Sequence, residues 1–272
     1  MKHIMNHHYP FLVGWTSTLS FALLAADPAV PPRPAPTVPS VEPTVALRTA
    51  EQVLNKNIQA IGGRAAIQKV TSRHIKGTLD MAGFGISAPW ELQAKAPNKR
   101  VTILDIAGMG VLKEGFNGKI GWSENPTAGV TEKKGEELAY LRREAVFNRD
   151  LKFKEVYAKL TLQGVQKVDH GEAYVLLATP AEGSPERYFF DTQTGLIVRH
   201  EAEYTNDQGK VTIVSNNKDF RVVDGLKLPF TMTLQVTAPN APEMNLTVKC
   251  TEIKHNVPLD DALFEKPADP PK

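Results

Sequence analysis

The chain has one cysteine in 272 residues, Cys250. A lone cysteine excludes an internal disulfide and any cysteine-built zinc site. Its ordinary role is that of a small buried strand residue. Strong charge of one sign is missing too. Charged residues make up 23% and the net charge is +2, so no strong field favours nucleic acid. Past residue 26 no apolar run reaches the ~20 residues that a membrane span needs. There is no internal repeat of fixed period, no GxSxG nucleophile elbow and no phosphate-binding loop.

The N-terminal 26 residues read as a secretory signal peptide. Lys2 and three histidines precede the apolar run FLVGWTSTLSFALLAA, which ends in small residues near Ala25 and Ala26. No cysteine follows the cut, so lipid anchoring is not expected. Residues 27–43, DPAVPPRPAPTVPSVEP, hold seven prolines in seventeen positions. Proline at that density favours an extended, semi-rigid linker. The folded domain is expected over 44–267. The run after Phe264, EKPADPPK, reads as loose, with 268–272 a disordered tail. These features point to a soluble, exported, periplasmic product with no transmembrane segment once the leader is removed.

Residues 45–61 place Leu47, Ala50, Val53, Leu54, Ile58 and Ile61 on one helical face, and Gly62-Gly63 stops that helix. A short second piece follows, to Val70. The period then changes from 3.6 to 2. Ile86, Ala88, Trp90, Leu92 and Ala94 share one face of a strand, as do Phe230, Met232, Leu234 and Val236. Turn signals recur at Asn117-Gly118, His170-Gly171, Thr194-Gly195, Gln208-Gly209 and Asp224-Gly225, giving about ten short antiparallel strands. One helix interrupts them at 135–150, with Leu138, Leu141 and Ala145 on one face. It has no partner helix nearby in sequence and must pack on the sheet. The fold class is α+β: a long, curved antiparallel sheet that tends to curl toward a barrel, with an N-terminal helix and a helix inserted midway, both placed to cover or plug its concave side.

Catalytic patterns fail on context. His200-Glu201 opens like HExxH, but Tyr204 replaces the second histidine and the run is a strand. Gly83 to Ala88 matches GxGxxA by letters, yet Pro89 and an alternating pattern follow, so a glycine turn is expected. Asp169 to Glu172 reads as a turn, and His74 and His255 have no evident partner. The charges of Asp219, Arg221 and Lys227 belong to the exposed face of a hairpin turned by Asp224-Gly225. An enzyme would need an inward polar group such as His200 or Asp191, and the alternation gives no sign of one. No cofactor, metal or catalytic residue is expected. A curled sheet with its apolar side inward is either a packed module or a pocket for a greasy ligand.

Five phrases together carry a resemblance: AIGGRAAI (60–67), ELQAKAPNKRVTI (91–103), YFFDTQTGLIVR (188–199), DFRVVDGLKLPF (219–230) and NVPLDDALFEKP (256–267). The chain resembles the LolA-like family of outer-membrane lipoprotein-sorting and carrier proteins over roughly 44–267. The resemblance implies a half β-barrel with helices as a lid over a hydrophobic cavity for acyl chains. The carriers hold an arginine just before the proline of the Pro-Asn corner, where it helps to latch the lid. Here Ala96 stands before Pro97, so that role is not carried over.

The expected function is periplasmic binding or carriage of lipids or lipoprotein acyl chains. The expected ligand-binding residues are Trp90, Leu92, Ile103, Trp122, Leu138, Leu141, Leu176, Phe190, Met232 and Leu234. The alternative is a protein-interaction or envelope-stress sensing module on the same fold, with a membrane-associated protein partner and no transported ligand.

Overall fold

The computed structural model describes residues 49–169, 171–239 and 241–268. The expected leader and proline-rich linker lie outside the described residues. Helix α1, Ala50–Ile61, starts with a reciprocal cap: the Thr49 hydroxyl accepts from the Gln52 amide, and the Gln52 side chain accepts from the Thr49 amide. Two otherwise orphaned donors are satisfied. The helix ends at Gly62, at φ 140°, where a Cβ would stand 2.3 Å from the Gly225 carbonyl oxygen. Only glycine lets the helix stop against that hairpin turn. Helix α2, Arg64–Gln68, follows at once.

Six strands come next: β1 (Ser72–Met81), β2 (Ile86–Lys95), β3 (Lys99–Ile106), β4 (Gly110–Phe116), β5 (Gly121–Asn125) and β6 (Gly129–Glu132). Seven more follow an insertion: β7 (Lys159–Val168), β8 (Gly171–Thr179), β9 (Glu186–Asp191), β10 (Ile197–Asn206), β11 (Gly209–Val223), β12 (Leu226–Thr237) and β13 (Met244–His255). Thirteen strands exceed the ten that alternation suggests. β5, β6 and β9 have only five, four and six residues, too short to display the period clearly. The turn pairs at 117, 194, 208 and 224 do join successive strands, and Gly83 lies in a short 3-10 turn between β1 and β2.

All thirteen form one antiparallel sheet in the order β6-β5-β4-β3-β2-β1-β13-β12-β11-β10-β9-β8-β7. The edges β6 and β7 do not pair, so the sheet is an unclosed barrel. This order has one topological consequence. The segment from 133 to 158 must carry the chain from one edge of the sheet to the other.

That segment holds α3 (Gly135–Glu144), a 3-10 turn (Arg149–Leu151) and α4 (Phe153–Val156). Helix α3 is amphipathic. Glu136 and Glu137 sit in its first turn and Arg142 and Arg143 in its last, matching the helix dipole. It stops at Glu144 rather than continuing to 150. Asn148 takes a left-handed φ of 55°, and its side-chain amide donates to the carbonyls of Ile67 and Val70 at 3.0 Å. The chain is pulled off the helix axis to reach α2.

The core is divided among the helices. Val53 and Leu54 of α1 pack with Phe153, Tyr157, Leu176, Tyr188 and Phe190 on the β8–β9 wing. Ile58, Ile67, Phe147 and Leu226 form a second cluster, with Ala96 packed against it. The stretch from Phe264 to Lys266 is tied down, not loose, while 269–272 of the expected tail lie outside the described residues. Phe264 is fully buried beside Trp122, whose indole Nε1 donates to the Phe264 carbonyl at 2.9 Å. Asn117 donates to Glu265 at 2.6 Å, and Lys266 pairs with Glu132 at 2.9 Å.

Candidate functional site

Helix α3 reaches both wings of the sheet. On the β5 side, Leu138 and Leu141 lie over Gly121, and Leu141 packs on Phe116. On the β10 side, Tyr140 stacks on Tyr204 with ring centroids 5.3 Å apart, and the Thr205 amide donates to Glu136 at 2.9 Å. Past the C-terminal end of α3, where Glu144 and the segment 145–150 meet α1, α2 and the sheet, a cavity of about 380 Å³ remains. That lies at the lower end of the ~300–1,000 Å³ range of small-molecule sites.

Two kinds of wall face the cavity. Trp90, Leu92, Ile61, Ile67, Phe153, Leu228 and Met232 contribute apolar surface, while Arg73, Arg100, Glu144, Arg149, Asp150 and His200 contribute charge or polarity. Strand β2 shows how the sequence places this gradient. Trp90, Leu92 and Ala94 alternate onto one face. In register, Ala94 stands between Arg73 of β1 and Arg100 of β3, and Leu92 stands between Ile75 and Thr102.

At the polar end, Glu186 of β9 is the centre of a buried network. Its carboxylate accepts from Arg143 Nε at 2.6 Å, Tyr157 at 2.7 Å and Tyr188 at 2.8 Å, and it contacts His200 Nε2 at 2.9 Å. Tyr188 and His200 are cross-strand partners and stack at 4.2 Å. Glu144 pairs with Arg149, and with Arg100 at 3.6 Å. Burial pushes the Glu186 carboxyl up, but the His200 hydrogen bond and charge, with Arg149 and Arg143, hold it well below the usual carboxylate range. Glu144 follows the same pattern: burial raises it, and Arg149, His200 and Arg100 more than offset that. Burial raises the Tyr157 and Tyr188 phenols, which stay neutral donors.

The network joins α3 and the segment after it to β9 and β10. Glu144, Glu186 and His200 bring ligand atoms within 4.8 Å of one another, a spacing open to a metal ion. Arg143 and Arg149 already supply positive charge there, so the arrangement fits an ion-pair latch better than a cation site.

Alternation gave no sign of an inward polar group on β10, yet His200 points inward. Glu186 reaches the same face because it alternates with Tyr188 and Phe190. Asp191 turns the β9–β10 hairpin instead, accepting from Thr194 N at 2.6 Å. His74 and His255 do have partners, Glu91 at 2.7 Å and Asp224 at 3.0 Å.

Of the expected ligand-binding residues, Trp90, Leu92 and Met232 line the cavity. Leu234 packs in the cluster around Trp90. Leu176 and Phe190 sit in the core under α1. Ile103 and Trp122 pack with Phe264. Leu138 and Leu141 seat α3 on Phe116. Arg143, Arg149, Glu144 and Glu186 escaped the sequence reading. Their only local signal was charge on otherwise apolar faces.

No protein-family model and no curated protein sequence matches the chain. Solved structures do match. A LolA superfamily protein from Nitrosomonas europaea aligns over 81% of this chain and 99% of its own, at 14% identity and a TM-score of 0.52. A domain named for outer membrane lipoprotein sorting, from Vibrio parahaemolyticus, aligns over 79% and 97%, at 13% identity and 0.53. A DUF1329 family protein from Desulfovibrio piger aligns over 79% and 96%, at 16% identity and 0.51. The chain has a LolA-like fold. Among the described residues, no helix is long and apolar enough to cross a membrane.

Proposed function

We propose that this protein is an exported, periplasmic carrier that holds a lipid or lipoprotein acyl chain in the concave side of its sheet and catalyses no reaction on it. One observation carries the reading: a cavity of about 380 Å³ on the inner side of the open sheet, lined by α1, α2 and the crossing segment from Glu144 to Asp150. Each methylene moved from water into such a wall contributes about 0.8 kcal/mol, so a chain of ordinary length binds usefully even when partly buried. Trp90, Leu92 and Met232 form the apolar contact, and α3 is the element that moves to admit the ligand. Export rests on the N-terminal sequence, and lipid carriage on the cavity. The fold shared with the LolA superfamily protein agrees with both.

Native mass spectrometry of the exported protein, isolated without detergent, tests this. Extra mass that organic extraction removes, identified as lipid, is the expected result. A bare polypeptide mass, with no uptake of a fluorescent fatty acid afterwards, would sink the carrier reading in favour of a protein-interaction module.

A further inference from the structure

The cavity wall holds more positive charge than it can pair. Arg73, Arg100, Arg149 and Lys227 line it, against the carboxylates of Glu144 and Asp150. Arg100 and Arg149 both lean on Glu144. Arg73 has no carboxylate within 4.0 Å among the described residues. Its Nε is buried without a hydrogen-bond partner. Its guanidinium lies 5.8 Å from the Phe147 ring centroid, a weak substitute for an anion. Burial pulls the Arg73 pKa down and Asp150 only partly offsets it through space. Burial also pushes the Asp150 carboxyl up.

Guanidinium stays protonated in proteins, and a half-buried one whose Nε lacks a partner gives up part of its hydration unrewarded. The same group facing a cavity becomes an asset once an anion enters. Register places Arg73 and Arg100 on either side of Ala94, and all three line the cavity. From there the face of β2 runs to Leu92 and then Trp90, polar to apolar along one strand.

We propose that Arg73, with Arg100 across Ala94, is an anionic headgroup subsite, and that the ligand is a single-chain amphiphile ending in a carboxylate or phosphate. This rests on the carrier reading above. The oxyanion takes Arg73, and the chain lies along Leu92, Trp90 and Met232.

Three probes of equal chain length separate the possibilities: palmitate, hexadecyl phosphate and hexadecanol, titrated into delipidated protein. The expected result is that at least one anion binds about tenfold or more tightly than the alcohol, as a charge-assisted hydrogen bond allows. The tighter anion names the headgroup. In Arg73→Gln that preference should vanish while hexadecanol affinity holds, and in Arg73→Lys most of it should remain. Circular dichroism confirms that the variants fold. Equal affinity for both anions and the alcohol in the wild type overturns the subsite and leaves the carrier reading standing. Binding of none of the three overturns both. Should Arg73→Gln lower alcohol and anion affinity alike, Arg73 shapes the wall and does not select a head.

Discussion

Glu186 is fully buried and engages four side chains. Its carboxylate stands between cations that would otherwise face one another in a dry interior. Replacing one member of a buried pair leaves the other uncompensated, at about 3–5 kcal/mol. Glu186→Gln should therefore lower stability by roughly that amount, read by urea unfolding. The pH sign follows from the same charges. Glu144 and Glu186 are both held below the free value of 4.5. The unfolded chain then binds more protons in acid. Their contribution is complete above 4.5 and is lost as pH falls through the lower folded values. Urea melts taken from neutral pH down past 4.5 should show that loss, and Glu186→Gln should show much less of it. A parallel slope in both proteins would mean the network carries no charge coupling. Cys250, by contrast, is half-buried beside the Trp90 cluster, and burial raises its thiol. It lies in a strand as expected of a lone cysteine but is only partly enclosed.

At the scale of elements, α3 anchors the crossing segment whose end, from Glu144 to Asp150, lines the cavity. Its seat on the β5 side depends on Gly121. A Cβ there would stand 2.9 Å from both Leu138 Cδ1 and Leu141 Cδ2. Those are flexible side-chain ends, so alanine is tolerable, whereas valine must push the helix away. Gly121→Val should cost about 1–3 kcal/mol and speed amide exchange across 135–144. Unchanged exchange there would mean the helix is held from the β10 side alone, through Tyr140 and Glu136. The length of α3 was misjudged from periodicity because Ala145 and Val146 extend the apolar face. The break comes from Asn148 bonding to α2, a contact between residues about eighty positions apart.

For the whole molecule, the strand order sets where stability lies. β1 and β13 are mid-sheet and paired on both sides, while β6 is a four-residue edge. Interior strands open only with the sheet, and edges fray. Hydrogen exchange should be slowest in β1, β2, β12 and β13, and faster in β6 and α3. An α3 as protected as β1 would argue against its moving to admit a ligand.

What the sequence by itself determined is what local periodicity and turn chemistry encode. Thr49 to Gly62 specify a capped helix; alternation from Ile86 to Ala94 fixes which face of β2 is apolar; Asn-Gly and Asp-Gly pairs set the hairpins. Those signals sufficed for an open antiparallel barrel with one inserted helix. What only the tertiary structure decided is which inward faces remain empty and which are filled. Leu176 and Phe190 look like Trp90 in pattern, yet α1 and α4 cover the first two, while Trp90, though buried, contributes to the cavity wall. The buried charges of Arg143, Arg149, Glu186 and His200 were equally beyond reach. Each is an unremarkable polar residue in its own segment, and meaning arises only when the insertion folds across the sheet and brings them within hydrogen-bonding distance.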